Sequence, residues 1–177
     1  MHLNTECMKF LEKDLEQIIY EADTNSLNEK GLLVTGKCYR QLRIGGYGVA
    51  DLVYVDRPAY CKSARKHMNG KITIIELKKD KVSASSFFQA LNYVKGIQRY
   101  LEEYRAMHDH LFHFEICLIG KEVDKNSSLV YLPDIFRKEL LEFDETQTII
   151  TLYEYDYTFN GIAFESLNGY RLKQEGI

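Results

Sequence analysis

The sequence predicts an α/β domain built on a single mixed β-sheet flanked by helices. Two stretches carry apolar residues at helical spacing, residues 8–22 and residues 83–107. Runs rich in Val, Ile, Leu and Tyr predict strands at residues 31–44, 48–56, 71–79, 112–123 and 148–167. Because the order is helix, two or three strands, helix and then more strands, we expect the elements to pack around one mixed sheet rather than as a bundle or a sandwich.

The first half of the chain predicts a helix followed by a hairpin. Turn-forming residues in DTNSLNEKG end the first helix. The strands 31–44 and 48–56 are joined by GGYG, which predicts a tight turn between antiparallel neighbours. Residues 57–70 are polar and basic, and we expect them to form a loop.

The second half predicts a central strand, a long helix and further strands. Residues 71–79 are nearly all Ile and Leu up to residue 75, which is typical of a strand buried on both faces. The sequence SASS supplies N-cap candidates for the helix at 83–107. Residues 128–143 are expected to hold a short strand and one or two helical turns. Residues 148–167 are expected to form one or two strands, with a turn at FNG.

Length and composition indicate one intracellular domain over residues 1–177. The chain has 177 residues, 45% hydrophobic and 28% charged, and two prolines, which leaves no Pro-rich linker. No apolar stretch approaches the roughly 18–20 residues that span a bilayer. The charged start of the chain has no signal-peptide core, so a cytoplasmic location is expected. The four cysteines are scattered, which argues against a disulfide framework or a zinc site.

Charge is unevenly distributed along the chain. The net charge is −3, but residues 60–81 contain seven basic residues against two acidic ones. Such a basic segment can bind phosphates whatever the charge of the whole chain. The alternative is that residues 60–71 form a solvated loop with no ligand. If the segment binds nucleic acid, the candidate contacts are Arg65, Lys66, Lys79 and Lys81.

Two charged residues interrupt the end of the apolar strand IIELKKD. Because side chains alternate faces, Glu76 and Lys78 point to one side and Leu77 to the other. Burying one of these charges alone costs several kcal/mol, so a buried pair suggests a further partner such as a metal ion. The alternative is that the strand simply meets water at Lys78.

Asp51 lies in the preceding predicted strand and favours the metal interpretation. Two carboxylates on adjacent strands can hold a hard divalent cation such as Mg²⁺, with water completing the shell. The main-chain carbonyl of Leu77 is a further candidate ligand. Lys78 would then stand beside a water molecule near the ion and offset charge that gathers on a phosphate.

The ordered set Asp51, then Glu76-Leu77-Lys78, then QALNY resembles the PD-(D/E)XK nuclease superfamily. More narrowly it is similar to the RecB-like branch, which has a Q-x-x-x-Y motif on the following helix. The similarity extends from the first helix to about residue 100. It implies a restriction-endonuclease-like core with the order αβββαβ. Ala50 replaces the proline that gives the family its name, a position that shapes backbone rather than chemistry.

The resemblance implies a role for each matching residue. Asp51 and Glu76 are expected to bind Mg²⁺ or Mn²⁺, and Lys78 is the expected catalytic lysine. Gln89 is expected to be catalytic and Tyr93 to contact nucleic acid, since positions i and i+4 share one helical face. In the family this face looks towards the active site and the DNA. The alternative for Gln89 and Tyr93 is a polar edge of the helix.

The branch also carries a glutamate from its first helix as a ligand or water-holder. Glu12 and Glu16 are the candidates here. At about 100° per residue, Glu12 lies at the edge of the apolar stripe and Glu16 lies further towards solvent, so Glu12 is preferred. A third alternative is that neither takes part.

The resulting hypothesis is a divalent-metal-dependent deoxyribonuclease that hydrolyses phosphodiester bonds with a water molecule. Its expected substrate is DNA rather than RNA. A homodimer or a partner protein would supply targeting, and no membrane contact is expected. The alternative hypothesis is a module on the same fold that binds nucleic acid or assembles with a protein without cutting.

Overall fold

The structure is a computed structural model, described here over residues 11–61, 66–105, 112–135 and 148–167. The helices are α1 (Glu12–Glu21), α2 (Thr24–Glu29), α3 (Ala84–Arg105) and α4 (Leu132–Ile135). The strands are β1 (Lys37–Arg43), β2 (Val49–Asp56), β3 (Ala59–Cys61), β4 (Lys66–Met68), β5 (Gly70–Leu77), β6 (Lys81–Val82), β7 (Phe112–Gly120), β8 (Glu122–Val123), β9 (Thr148–Thr158) and β10 (Gly161–Ser166).

Six of the strands form one mixed sheet in the order β1-β2-β5-β7-β9-β10. The pairs β1–β2, β2–β5 and β9–β10 are antiparallel, whereas β5–β7 and β7–β9 are parallel. The predicted fold class is therefore confirmed. The order α1, β1, β2, β5, α3, β7 is the αβββαβ order expected of a restriction-endonuclease-like core.

Helices cover both faces of the sheet. On one face α1 packs through Leu15 and Ile19, whose spacing of four residues puts both on one side of the helix. On the other face α3 packs through Ala90, Val94 and Ile97. Fully burying an aliphatic side chain contributes roughly 1.5–3 kcal/mol, so these two apolar faces fix the helices against the sheet.

Strand β5 lies between β2 and β7 and is buried along almost its whole length. Ile72 and Ile74 face α3, whereas Ile75 and Leu77 face α1. By the same alternation Glu76 lies on the α3 side of β5, opposite Leu77, as predicted. A carboxylate therefore stands inside the core at the carboxyl end of a central strand.

Two predictions about local structure need correction. Part of the segment predicted as a loop, 57–70, contains the strands β3 and β4, which pair antiparallel. The short strand expected in 128–143 is absent from the described residues 128–135, which form a 3₁₀ turn followed by α4.

Within the described ranges, no helix combines the length and apolar character needed to cross a membrane.

Candidate active site

Asp51 and Glu76 face each other where β2 and β5 begin to separate. The antiparallel register pairs Leu52 with Ile75, so the next position places Asp51 opposite Glu76. Asp51 Oδ2 also accepts a hydrogen bond from the backbone N–H of Leu77, at 2.9 Å. The sequence motif and its upstream carboxylate thus lie together.

Glu76 is a buried carboxylate with one oxygen left over. Its side chain is 2% exposed, and Oε1 accepts a hydrogen bond from Lys78 Nζ at 2.7 Å. In the described part of the chain, the buried Oε2 has no hydrogen-bond partner. Burial raises the pKa of Glu76, and the charges of Asp51 and Glu12 add to this rise against the hydrogen bond from Lys78, so that the pKa is about 7. Burying a carboxylate oxygen without a hydrogen-bond partner costs free energy. A cation bound at this oxygen would offset that cost.

Asp51 shares this electrostatic environment. Burial raises its pKa above the ordinary value, although the N–H of Leu77 and the charge of Lys78 act in the opposite direction. The charges of Glu12 and Glu16 add to the rise. Carboxyl groups whose pKa is raised by burial and by neighbouring carboxylates are common at functional sites.

Lys78 is held as an ammonium. Burial lowers its pKa, but the hydrogen bond to Glu76 and the charges of Glu76, Glu12 and Asp51 outweigh that effect, so its pKa is raised overall. Its side chain is 29% exposed. The ammonium therefore lies at the boundary between the buried carboxylate and solvent, with free donors on the open side.

The two glutamates of α1 occupy different places. Glu12 is half-buried, and its Oε2 accepts a hydrogen bond from the backbone N–H of Lys79 at 3.2 Å. Glu16, predicted to lie towards solvent, is instead only 5% exposed. The reason is that Arg40 of β1 pairs with it, and Gln41 donates a second hydrogen bond at 2.6 Å.

A metal ion at this site would rely on two carboxylates. Within the described ranges, no three His, Cys, Asp or Glu side chains group closely enough to hold a metal by themselves. Glu12 therefore does not join Asp51 and Glu76 as a third close carboxylate. Its predicted role as a ligand, like that of the Leu77 carbonyl, stays a prediction. The donor set still fits Mg²⁺, which commonly takes one or two carboxylates and keeps several waters.

Gln89 and Tyr93 of α3 form a hydrogen-bonded chain that ends on β2. Gln89 Nε2 donates to the Tyr93 hydroxyl at 2.5 Å, and that hydroxyl donates to the carbonyl of Val49 at 2.8 Å. Tyr93 is 2% exposed, which does not suit the nucleic-acid contact predicted for it. Its geometry is that of a residue that positions the backbone two residues before Asp51. Gln89 is exposed, and its predicted catalytic role stays a prediction.

The predicted basic contacts are only partly described. Lys79 is half-buried beside Glu12. The Nζ atom of Lys81 lies 3.3 Å from a carboxylate oxygen of Asp124 and 3.9 Å from one of Glu122. Arg65 lies outside the described residues, and Lys66 belongs to β4 without a described side chain. The structure thus brings Lys79 to the rim of the site, while Lys81 is committed to neighbouring acids.

Gln41 is a site residue that sequence reasoning missed. It lies in β1 opposite Asp51 and has a φ angle of +48°, in the left-handed region. For a residue with a side chain this conformation costs roughly 1–3 kcal/mol. Its position in an ordinary strand sequence gives no warning of the strain.

Two of the cavities in the described part of the chain lie beside the site rather than in it. One of about 880 Å³ opens between the β1–β2 hairpin and the second half of α3, with Tyr47, Arg99 and Phe112 in its lining. A smaller one of about 450 Å³ is lined by six charged residues, including Lys81 and Glu154. Asp51, Glu76 and Lys78 line neither of these two cavities.

Comparisons with known proteins do not establish the function of this chain. No family model matches the chain, and no curated protein matches it. It is similar to a solved structure described as a repair endonuclease from Pyrococcus abyssi, with 20% sequence identity and a TM-score of 0.39. The similarity covers 80% of this chain and 47% of that one, so this chain spans about half the length of that endonuclease.

Proposed function

We propose that this protein is a divalent-metal-dependent deoxyribonuclease that hydrolyses DNA phosphodiester bonds. The observation that carries the proposal is the unpaired, buried Oε2 of Glu76, opposite Asp51 and next to Lys78. A fold that required only stability would replace such a group with an apolar one, because burying it costs free energy. The resemblance of Asp51, Glu76, Lys78 and the Q-x-x-x-Y segment to the PD-(D/E)XK nucleases supports the same conclusion.

Asp51 and Glu76 would hold the ion, with Glu12 and the carbonyl of Leu77 as further candidate ligands. Mg²⁺ or Mn²⁺ bound there supplies neutralising charge to the phosphate and lowers the pKa of a water molecule. The two carboxylates come from neighbouring strands of a packed sheet, so their separation is set before any ion binds. Such preorganisation spares the site a rearrangement during the reaction.

Lys78 acts as a fixed positive charge in this proposal. In the metal-free protein its pKa is raised and it donates to Glu76, so it carries a positive charge beside the two carboxylates. Its remaining N–H donors are free to orient the attacking water and to stabilise negative charge on the phosphate oxygens. Removing such a donor from a reacting site typically lowers the rate by roughly 100- to 1,000-fold.

DNA is the proposed substrate because the site is flanked by a basic segment. Lys78 and Lys79 follow one another directly after β5, whereas the charge of Lys81 is offset by Asp124 and Glu122. Half-buried Lys79 sits one residue from the catalytic position and supplies positive charge at the rim. Contacts of this kind bind phosphates independently of sequence.

The test measures cleavage of single-stranded DNA, duplex DNA and RNA by the full chain, with Mg²⁺, with Mn²⁺ and with EDTA. The variants are Asp51→Asn and Lys78→Ala. The matched controls are Asp56→Asn, at the exposed far end of the same strand, and Lys95→Ala, on the exposed side of α3. We expect metal-dependent DNA cleavage that both site variants lose and both controls keep.

Two results would contradict the proposed mechanism, and a third would contradict the proposed substrate. Cleavage by Lys78→Ala at the unmutated rate would remove the assigned mechanism. DNA binding without cleavage, combined with no uptake of Mn²⁺ in a calorimetric titration, would instead favour the non-cleaving binding module. Preference for RNA over both forms of DNA would correct the substrate and leave the reaction unchanged.

A further inference from the structure

The strand β1 is distorted at the residue that faces Asp51. Arg40 pairs with Leu52 and Leu42 pairs with Ala50, which leaves Gln41 and Asp51 opposite each other but unpaired. At this position Gln41 adopts a φ angle of +48°, and it is the one non-glycine residue with a positive φ in the described ranges. Strain of this kind persists only where the surrounding structure holds it in place.

The side chain of Gln41 shows what holds it. Gln41 Nε2 donates to Oε2 of the buried Glu16 at 2.6 Å and lies 3.4 Å from Oδ1 of Asp51. The other oxygen of Asp51 accepts from the N–H of Leu77 at 2.9 Å. Each oxygen of Asp51 therefore faces a defined donor, a close one on β5 and a more distant one on β1.

We propose that Gln41 is a positioning residue that fixes the orientation of Asp51 and couples it to Glu16 of α1. Glycine would occupy the left-handed backbone without strain, but it has no amide to bridge the two carboxylates. The need for a side-chain N–H₂ group therefore explains why glutamine, rather than glycine, occupies this strained position. The part of this inference that concerns the metal rests on the proposed function, whereas the orientation of Asp51 does not.

The test uses the full chain with Gln41→Asn and Gln41→Gly. Asparagine tolerates the left-handed region but is one methylene too short to reach both carboxylates. Gly removes the amide and the strain together. The matched control is Gln17→Asn, because Gln17 accepts a hydrogen bond from Arg40 in the same cluster but has no contact with Asp51 in the described structure.

Two readouts separate positioning from a general effect on folding. The first is amide hydrogen exchange of Leu77 in EDTA, with the core amide of Ile74 as an internal reference. Since the Leu77 N–H donates to Asp51, a mobile Asp51 leaves that amide less protected. The second is the dissociation constant of Mn²⁺ from calorimetry. Loss of an outer-shell partner typically weakens metal binding by about 10- to 100-fold.

We expect both Gln41 variants to exchange Leu77 faster, with Ile74 unchanged, and to bind Mn²⁺ about 10-fold more weakly. Gln17→Asn should match the unmutated protein in both readouts. Unchanged protection of Leu77 in both Gln41 variants would overturn the positioning role. If the unmutated protein takes up no Mn²⁺, the proposed function fails, and the exchange of Leu77 still decides whether Gln41 orients Asp51.

Discussion

Replacing Glu76 by glutamine should stabilise the metal-free protein at neutral and alkaline pH. One pKa unit corresponds to about 1.4 kcal/mol. The pKa of Glu76 is raised from 4.5 to about 7, so ionisation costs the folded state about 3 kcal/mol. Glu76→Gln has nearly the same shape as the protonated acid and never ionises, and it should therefore avoid this cost.

The sign follows from the protons bound in each state. Between pH 4.5 and about 7, folded Glu76 keeps its proton while the unfolded carboxyl has lost it. Folding is therefore favoured most at low pH, and this contribution falls as the pH rises through that window. The stability of Glu76→Gln minus that of the unmutated protein should increase by about 3 kcal/mol from pH 4.5 to about pH 8.

Urea unfolding in EDTA at several pH values measures this difference. Taking the difference between the two proteins cancels the groups that titrate equally in both. Adding Mg²⁺ at about 100 times its dissociation constant should stabilise the unmutated protein by about 2.7 kcal/mol. It should leave Glu76→Gln unchanged. A variant that is less stable at about pH 8 than the unmutated protein, or a difference that does not grow with pH, would refute the assigned burial of an ionisable Glu76.

Two further substitutions test how α3 positions β2. Tyr93→Phe keeps the buried ring but removes the hydroxyl between Gln89 and the carbonyl of Val49, and it should cost about 1–2 kcal/mol in urea unfolding and slow cleavage. Gly48→Ala should destabilise by at least about 1 kcal/mol, since φ is +119° and a Cβ would lie 2.9 Å from the Tyr93 ring. Gly46→Ala is its control, because a Cβ there meets no atom within 4 Å. Equal melting temperatures for the two glycine variants would contradict the close packing of Gly48 on α3.

The fold was predictable because local sequence signals agreed with the tertiary structure. The apolar run before Glu76 gave a central strand, and the long amphipathic stretch gave α3 to within two residues at its start. The hairpin of β1 and β2 followed from two β-rich runs around a glycine turn. These features depend on periodicity and turn chemistry, which a single sequence records directly.

The errors arose where a partner distant in sequence changes the environment of a residue. Glu16 was predicted to face solvent from its position on the helix, but Arg40 and Gln41 of β1 cover it and supply its donors. The left-handed backbone of Gln41 likewise depends on contacts with two carboxylates from other elements. Helical periodicity gives the orientation of residues within one helix, but it does not show which strand packs against that helix.

The net charge of the candidate site is a further property that depends on residues from several elements. Glu12, Asp51 and Glu76 carry three negative charges when ionised, against the single ammonium of Lys78. Such an excess would repel a phosphodiester, which is itself anionic, so the proposed function requires a divalent cation that offsets it. Ile75 and Leu77, on the other face of β5, are fully buried and anchor the strand beside the two carboxylates.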